Sequence, residues 1–156
     1  MAALKSGDDI GVIIRCHYEI ESAARHTLGV LSSNRSSDIK LNYLGQVLDG
    51  LNLLGVSTAS LAPSRCLNKF RNKIAHHGQD SIDNSFINEY TTLTKSVHRD
   101  FRDDITLVFS DQNLGLNKRY SEASNREKCV VATWYNLMLI LAFAAAKTLA
   151  AQSGAK

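Results

Sequence analysis

The chain has 156 residues and a formal net charge of +3, and it contains three cysteines. This length can bury one hydrophobic core, and the odd number and wide spacing of the cysteines argue against a disulfide framework and a zinc knuckle. Acidic residues are interspersed among the basic ones, so the charge alone does not indicate nucleic acid as a partner. Residues 1–9 contain no apolar segment of the kind found in signal peptides, and we expect a cytoplasmic protein.

Periodicity and composition predict an all-α protein. Pro63 is the only proline, and no stretch shows a useful alternation of β-branched with polar residues, as half-buried strands do. Apolar residues recur instead at spacings of three and four, which is typical of amphipathic helices. We predict a single-domain helical bundle of about five helices that occupies residues 1–156.

Capping residues and glycines mark where the predicted helices begin and end. Their approximate ranges are 8–31, 38–54, 57–77, 81–109 and 124–152, with a turn-rich loop over 110–115. Asp38 is predicted to cap the second helix and Gly55 to end it. The third helix is predicted to carry Pro63 in its first turn and to end at Gly78. A break of the fourth helix near 100–104 is left open.

The last predicted helix contains an uncharged run over 129–146. This run is short for a membrane span, and small and polar residues dilute it. We therefore predict a helix that is buried on nearly all sides, and no membrane partner. Trp134, Tyr135 and Phe143 lie in it at helical spacing and are expected to pack in the core or in a dimer interface.

One segment, Arg71 to Gly78, concentrates side chains that can do chemistry. Arg71 and His76 lie about 140° apart around a straight helix, so we expect them to share a face only if the helix loosens near Gly78. A guanidinium matches the geometry of a phosphate, and the negative end of the helix dipole favours a protonated histidine that can donate a proton. Asn72 lies on the face of His76 and can orient the imidazole or bind the substrate. Together these residues predict a phosphodiester site.

Two other interpretations of this segment remain open. Basic residues at a helix C-terminus complement the dipole, and spacing alone favours the interpretation that these side chains are merely solvated. A metal site is disfavoured, because adjacent histidines point about 100° apart on a helix and no carboxylate stands four residues from either. We predict no metal and no cofactor.

The stretch 70–76 resembles the motif of the HEPN superfamily, in which an arginine is followed by a polar residue, a few spacer residues and a histidine near a helix junction. Arg71, Asn72 and His76 stand at these positions. A long first helix, a leucine-rich second helix that ends near a glycine and a long apolar last helix are also similar to HEPN domains. The layout of 48–56, followed by the Arg-to-His segment, is similar to the mannitol operon repressor family.

The resemblance implies a metal-independent endoribonuclease whose two protomers pair so that two Arg/His sets line one cleft. By this analogy Arg71 holds the scissile phosphate, Asn72 fills the polar position after it, and His76 moves the proton. RNA is then the substrate, the chain is a homodimer, and a cognate antitoxin or other partner protein is expected, since many members are toxins or antiviral defence RNases. Other members are non-catalytic, so a regulatory or interaction module of mannitol-repressor type is the alternative. No helix-turn-helix with a basic recognition helix supports DNA binding.

Four further residues are considered for a secondary role. His77 is either the second half of the site or a surface residue, and Lys73 gives the segment a positive rim that suits RNA. Glu19 lies four residues after Arg15, which favours an ordinary ion pair, although Glu19 or His17 can instead face the cleft. His17 lies on the apolar stripe of the first helix, which favours a core histidine.

Overall fold

The computed structural model describes residues 8–33, 41–111 and 114–153. In these ranges the chain forms five α-helices, a two-stranded hairpin and one short 3-10 turn. The elements are α1 (Asp9–Leu31), α2 (Leu44–Leu53), α3 (Thr58–His77), α4 (Asn84–Val97), β1 (Thr106–Asp111), β2 (Leu114–Arg119), the 3-10 turn (Tyr120–Glu122) and α5 (Asn125–Ser153). The predicted all-α bundle of about five helices is confirmed.

α1 and α5 run parallel to each other in the bundle. Asp9 at the start of α1 pairs with Arg126 at the start of α5, and further along the Thr27 hydroxyl donates to the Ile140 carbonyl at 3.1 Å. α2 packs on α1, α4 packs on α5, and α3 packs against α1, α2 and α4. This order leaves α3 with α1 on one side and α4 on the other.

α3 has the predicted start and end signals. The Ser57 hydroxyl accepts a hydrogen bond from the Ser60 amide at 3.1 Å, and Gly78 ends the helix in the left-handed region with a φ of 65°. Because the helix already begins at Thr58, Pro63 lies in its second turn, and the prediction of a first-turn proline is wrong. The ring removes one backbone hydrogen bond, and the helix continues past it.

α2 is shorter than predicted, because Tyr43 is its N-cap. The predicted cap, Asp38, lies outside the described residues. The predicted stop is confirmed, since the helix ends at Leu53 and Gly55 follows with a φ of 95°.

The fourth predicted helix is too long, and a hairpin replaces its last part. α4 ends at Val97, and β1 and β2 pair antiparallel with Thr106 opposite Arg119. The chain is non-helical at 100–104, where a break was left open, and the predictions of helix over 105–109 and of a loop at 110–111 and 114–115 are wrong. Residues 112–113 lie outside the described residues. β1 begins with residues that favour strands, but six residues are too few for periodicity to separate a strand from a helix.

α5 matches its predicted range but not its predicted burial. Trp134, Met138 and Leu149 are 47%, 49% and 65% exposed, so the prediction of a helix buried on nearly all sides is wrong. Tyr135 and Phe143 do pack against the core. Of the described helices, α5 alone is long and apolar enough to cross a membrane, with 39% of its apolar window buried. The core helix of a soluble protein also reaches this length and hydropathy.

Buried polar side chains fix how α4 lies on α5. The Tyr90 hydroxyl shares a hydrogen bond with the Thr133 hydroxyl at 3.0 Å, and Asn136 Nδ2 donates to Thr94 Oγ1 at 3.0 Å. A slip of one helix along the other would leave these groups buried without partners, which is costly. The two pairs therefore specify the register of the helices, and through α4 the position of the loop that follows α3.

Candidate functional site

The predicted segment borders a cavity where α3 faces α1 and the start of α2. This open space of about 370 Å³ is the α1/α3 cavity. Its lining consists of His17 and Glu21 of α1, Asn42 and Tyr43 before α2, and Asn68, Arg71, Asn72 and His76 of α3. The three residues predicted to be catalytic thus line one cavity.

Arg71 and His76 reach this cavity from the two edges of one helix face. They stand about 140° apart around α3, and Asn68 and Asn72 lie between them. Arg71 Nη1 donates to Asn72 Oδ1 at 3.2 Å, which ties the guanidinium to the middle of that face. α3 stays helical up to Gly78, so no loosening of the helix is needed for the two side chains to line the same space.

His17 forms the wall of the cavity opposite α3. Its Nε2 donates to Asn68 Oδ1 at 2.9 Å, and its Nδ1 lies 3.8 Å from a carboxylate oxygen of Glu21. Arg25 in turn donates to Glu21 at 3.0 Å through Nε and to the Leu41 carbonyl at 2.8 Å through Nη1. The hydrogen bond with Asn68 therefore holds the His17 ring, which lines the cavity and is not part of the apolar core.

The start of α2 makes the same cavity favourable for an anion. Tyr43, the N-cap residue, makes no side-chain capping hydrogen bond, and the first amides of any helix lack partners within the helix. A Cβ on Gly45 would come within 3.7 Å of Asn68 Nδ2, so the first turn of α2 lies against that amide. The Asn68 amide and the Arg71 guanidinium thus line one space beside Tyr43, the N-cap of α2, and the dipole of that helix adds to their attraction for negative charge.

The secondary candidates are not all brought to this site. Glu19 is exposed and does not line the α1/α3 cavity, whereas His17 does. Lys73 points to the other side of α3, where its Nζ lies 3.9 Å from Asp83 Oδ2. His77 is the last residue of α3, and its side chain lies outside the described part of the chain.

A second cavity lies between α3 and α4, beside the first one. This α3/α4 cavity has a volume of about 610 Å³ and shares Asn72 and His76 with the α1/α3 cavity. The rest of its lining consists of Cys66, Lys69, Phe70 and Lys73 of α3, with Asp83, Ser85, Phe86 and Glu89 at the start of α4. The face of α3 that carries Asn72 and His76 is therefore a ridge between two cavities.

Asp83 on the far wall is occupied by structural contacts. It caps α4, and the hydrogen bond that its carboxylate accepts from the Phe86 amide at 2.7 Å is the main reason why its pKa lies below the usual range. Gln79 Nε2 also donates to it at 2.6 Å, and Lys73 adds an attractive charge. The carboxylate therefore balances part of the positive rim that Lys73 was predicted to provide.

Neither cavity holds an evident metal site. Among residues 8–33, 41–111 and 114–153, no group of three or more His, Cys, Asp or Glu side chains is arranged to bind a metal ion. Comparisons of the chain with family models, with curated proteins and with solved structures found no match. The resemblance to the HEPN superfamily therefore rests on 70–76 and on the layout of the helices, and it stays a prediction.

Sequence reasoning missed Glu21 and Asn68 and favoured a core position for His17. A signal was present, because Glu21 follows His17 by four residues and Asn68 precedes Asn72 by four, which puts each on the face of its neighbour. The contact between His17 and Asn68 joins residues that are 51 positions apart. Such a contact depends on how α1 packs on α3, and no local pattern encodes it.

Proposed function

We propose that the chain is a metal-independent endoribonuclease of HEPN type. The observation that carries this proposal is the composition of the α1/α3 cavity, which combines the Arg71 guanidinium, the His76 imidazole and the N-terminus of α2 in one open space. RNA offers one phosphate per nucleotide and a neighbouring 2'-hydroxyl. A site that brings a guanidinium and an imidazole proton donor to one space suits internal transesterification of that phosphate.

In the proposed reaction the ribose 2'-oxygen attacks the phosphorus atom, and the bond from phosphorus to the leaving 5'-oxygen breaks. Arg71 and the Asn68 amide hold the non-bridging oxygens, where negative charge builds up. His76 gives its proton to the leaving oxygen, and a second imidazole accepts the proton of the 2'-hydroxyl. Asn72 holds Arg71 in place. The products are a 2',3'-cyclic phosphate and a 5'-hydroxyl end.

The second imidazole is proposed to come from another copy of the chain. Ile14, Tyr18 and Tyr43 are 53%, 68% and 61% exposed. Tyr43 lines the α1/α3 cavity, and the other two lie within one helical turn of His17 on α1. Large exposed apolar side chains around a polar site are typical of an interaction surface. We propose a homodimer that pairs these rims so that the two cavities face each other.

The proposed biological role follows the resemblance alone. Many HEPN ribonucleases act as toxins or in antiviral defence, so we propose such a role in the cytoplasm, with a partner protein that restrains the enzyme.

The test is cleavage of a mixed RNA pool by the purified protein in EDTA. We expect cleavage that leaves 2',3'-cyclic phosphate ends and that Arg71→Ala and His76→Ala each reduce by at least about a hundredfold. His26→Ala and Arg102→Ala are matched controls, because both residues are exposed and line neither cavity. Equal cleavage by all variants would identify a contaminant, and an inert wild-type protein would refute the proposal.

The second candidate function is a non-catalytic interaction module of mannitol-repressor type. The exposed Trp134, Met138 and Leu149 of α5 favour it, because they offer a partner protein an apolar surface away from the cavities. This candidate predicts that His76→Ala leaves any cellular phenotype intact and that Trp134→Ala removes it. The ribonuclease proposal predicts instead that His76→Ala removes the phenotype and that Trp134→Ala leaves it intact.

A further inference from the structure

The α3/α4 cavity has the size of a ligand site and no role in the reaction described above. Its volume of about 610 Å³ falls in the range of small-molecule pockets, roughly 300 to 1,000 Å³. Asn72 and His76 line both this cavity and the α1/α3 cavity. A ligand whose phosphate lies at Arg71 can therefore place its neighbouring group across the ridge of α3.

The inner wall of this cavity is apolar and uncharged. The rings of Phe70 and Phe86 stack with centroids 3.8 Å apart, and both side chains are buried, as is Cys66 beside them. Burial raises the pKa of the Cys66 thiol to about 12, so the thiol stays neutral at physiological pH. The flat face of an aromatic ring can lie on such a wall, whereas its polar edge must keep hydrogen-bond partners at the rim.

Two carboxylates, Asp83 and Glu89, line the cavity, and they differ in whether they contact other described residues. Asp83 is held by its cap, whereas Glu89 makes no hydrogen bond or ion pair with any residue in the described ranges. Glu89 is exposed, and it faces the cavity from the second turn of α4. Carboxylates accept hydrogen bonds from the exocyclic amino groups of nucleobases. Lys69 on the α3 rim suits a flanking phosphate, whereas the charge of Lys73 is partly balanced by Asp83.

We propose that the α3/α4 cavity is a nucleobase subsite. It takes the base next to the phosphate held at Arg71, and through Glu89 it prefers a base with an exocyclic amino group, such as cytosine, over uracil, which has none. This inference rests on the proposed ribonuclease function, because the phosphate position comes from it. Recognition of single-stranded RNA through the edges of unstacked bases is common among RNA-binding proteins.

The experiment measures binding without cleavage. Fluorescein-labelled hexamers of 2'-O-methylcytidine and of 2'-O-methyluridine cannot be cut, because the attacking hydroxyl is blocked. Their fluorescence anisotropy is titrated at one fixed salt concentration with wild type, Glu89→Ala and Glu19→Ala. We expect wild type to bind the cytidine hexamer about tenfold more tightly than the uridine hexamer. Glu89→Ala should reduce this ratio to about twofold or less by weakening cytidine binding, and the exposed control Glu19→Ala should retain it.

Each outcome decides one of the two proposals. The subsite proposal is overturned by any of three results. Wild type binds both hexamers equally, it binds neither, or Glu89→Ala keeps the wild-type ratio of cytidine to uridine affinity. Unmodified hexamers are tested for cleavage in parallel. Selective binding that depends on Glu89, without any cleavage, overturns the ribonuclease and leaves the subsite. Cleavage of both sequences at rates that Glu89→Ala does not alter overturns the subsite and leaves the ribonuclease.

Discussion

Asn68 is the residue through which α1 acts on the proposed phosphate site. Its side-chain amide has one accepting end and one donating end. His17 Nε2 donates to the accepting oxygen at 2.9 Å, and Glu21 lies 3.8 Å from the other ring nitrogen. Because this contact fixes which way the amide points, its Nδ2 remains as the end that can donate to a phosphate oxygen. His17 is then a positioning residue and not a catalytic one.

We expect Asn68→Ala to reduce the single-turnover rate of cleavage by about a hundredfold, because one hydrogen bond to the developing charge is lost. His17→Ala should act in the same direction but more weakly, since Asn68 remains. Single-turnover cleavage, together with circular dichroism to confirm folding, measures both effects. Asn88→Ala is the control, because this exposed residue of α4 lines neither cavity. A fully active Asn68→Ala variant would remove Asn68 from the site.

How much of the site was predictable depends on the separation of its residues along the chain. Arg71, Asn72 and His76 stand within one helical segment, so residue type and the resemblance to the HEPN motif selected them as candidates, although spacing alone favoured solvated side chains. Asn68 and His17 join the site only through the packing of α3 on α1. The cavity beside Glu89 likewise needs the turn after Gly78, which sets the distance of α4 from α3.

At the scale of the elements, the helices were predicted well where their start and end signals are local. Ser57 and Gly78 act on neighbouring backbone groups, so their roles can be predicted from the sequence. The hairpin was missed because β1 is stabilised by pairing with β2, and that pairing is not visible in either strand alone. The burial of α5 was overestimated because composition alone does not show that the described residues leave Trp134 about half exposed.

The cap of α4 should make stability depend on pH. The folded-state pKa of Asp83 is lowered, chiefly by the amide of Phe86. The ionised Asp83 carboxylate therefore stabilises the folded state above the unfolded pKa of about 3.9. This stabilisation is lost as pH falls through the folded-state pKa. We expect Asp83→Ala to cost about 1 kcal/mol at pH 7, measured by urea unfolding, and less at pH 2.

The matched variant for this cap is Asp83→Asn. An asparagine accepts the same hydrogen bond and does not titrate, so the unfolding free energy should stay near that of wild type at pH 7. Its difference from Asp83→Ala should not change with pH. If wild type and Asp83→Ala differ equally at pH 7 and pH 2, the carboxylate does not stabilise α4 through its charge.

The end of α3 should be sensitive to substitution at Gly78. This residue has a φ of 65°, and a Cβ built on it meets nothing within 4 Å, so the backbone conformation alone sets the cost. We expect Gly78→Ala to destabilise the protein by about 1 kcal/mol, which lowers Tm by roughly 2 to 4 °C. Gly78→Asn should lose less stability than Gly78→Ala, because asparagine tolerates the left-handed region. Equal Tm values for all three proteins would contradict this account of the helix end.

At the scale of the whole molecule, one face of α3 serves two cavities. Asn72 and His76 form the ridge between them, α1 and α2 enclose the proposed phosphate site, and α4 encloses the proposed base site. The bundle leaves this face exposed, so a bound RNA strand could cross it without entering the core. Completion of the site then depends on what covers the apolar rim around the α1/α3 cavity.

We expect Ile14→Glu to convert a homodimer into a monomer and to abolish cleavage, because a charge in an apolar interface is costly. Ile14 is 53% exposed in the single chain, so the substitution should leave the monomer folded. Met138→Glu is the matched variant, since Met138 is 49% exposed on α5. It should remain dimeric and active. Sedimentation equilibrium and the RNA cleavage assay give both readouts.

The two substitutions also separate the surfaces that compete for the role of interface. A monomeric Met138→Glu beside a dimeric Ile14→Glu would place the interface on α5, where two α1/α3 cavities are not required to face each other. The second imidazole would then have to come from within the protomer, and His17 is the one histidine besides His76 among the described residues that line this cavity. A dimer through the Ile14 rim instead leaves His17 as the residue that orients Asn68, and the acid and the base are then supplied by two copies of His76.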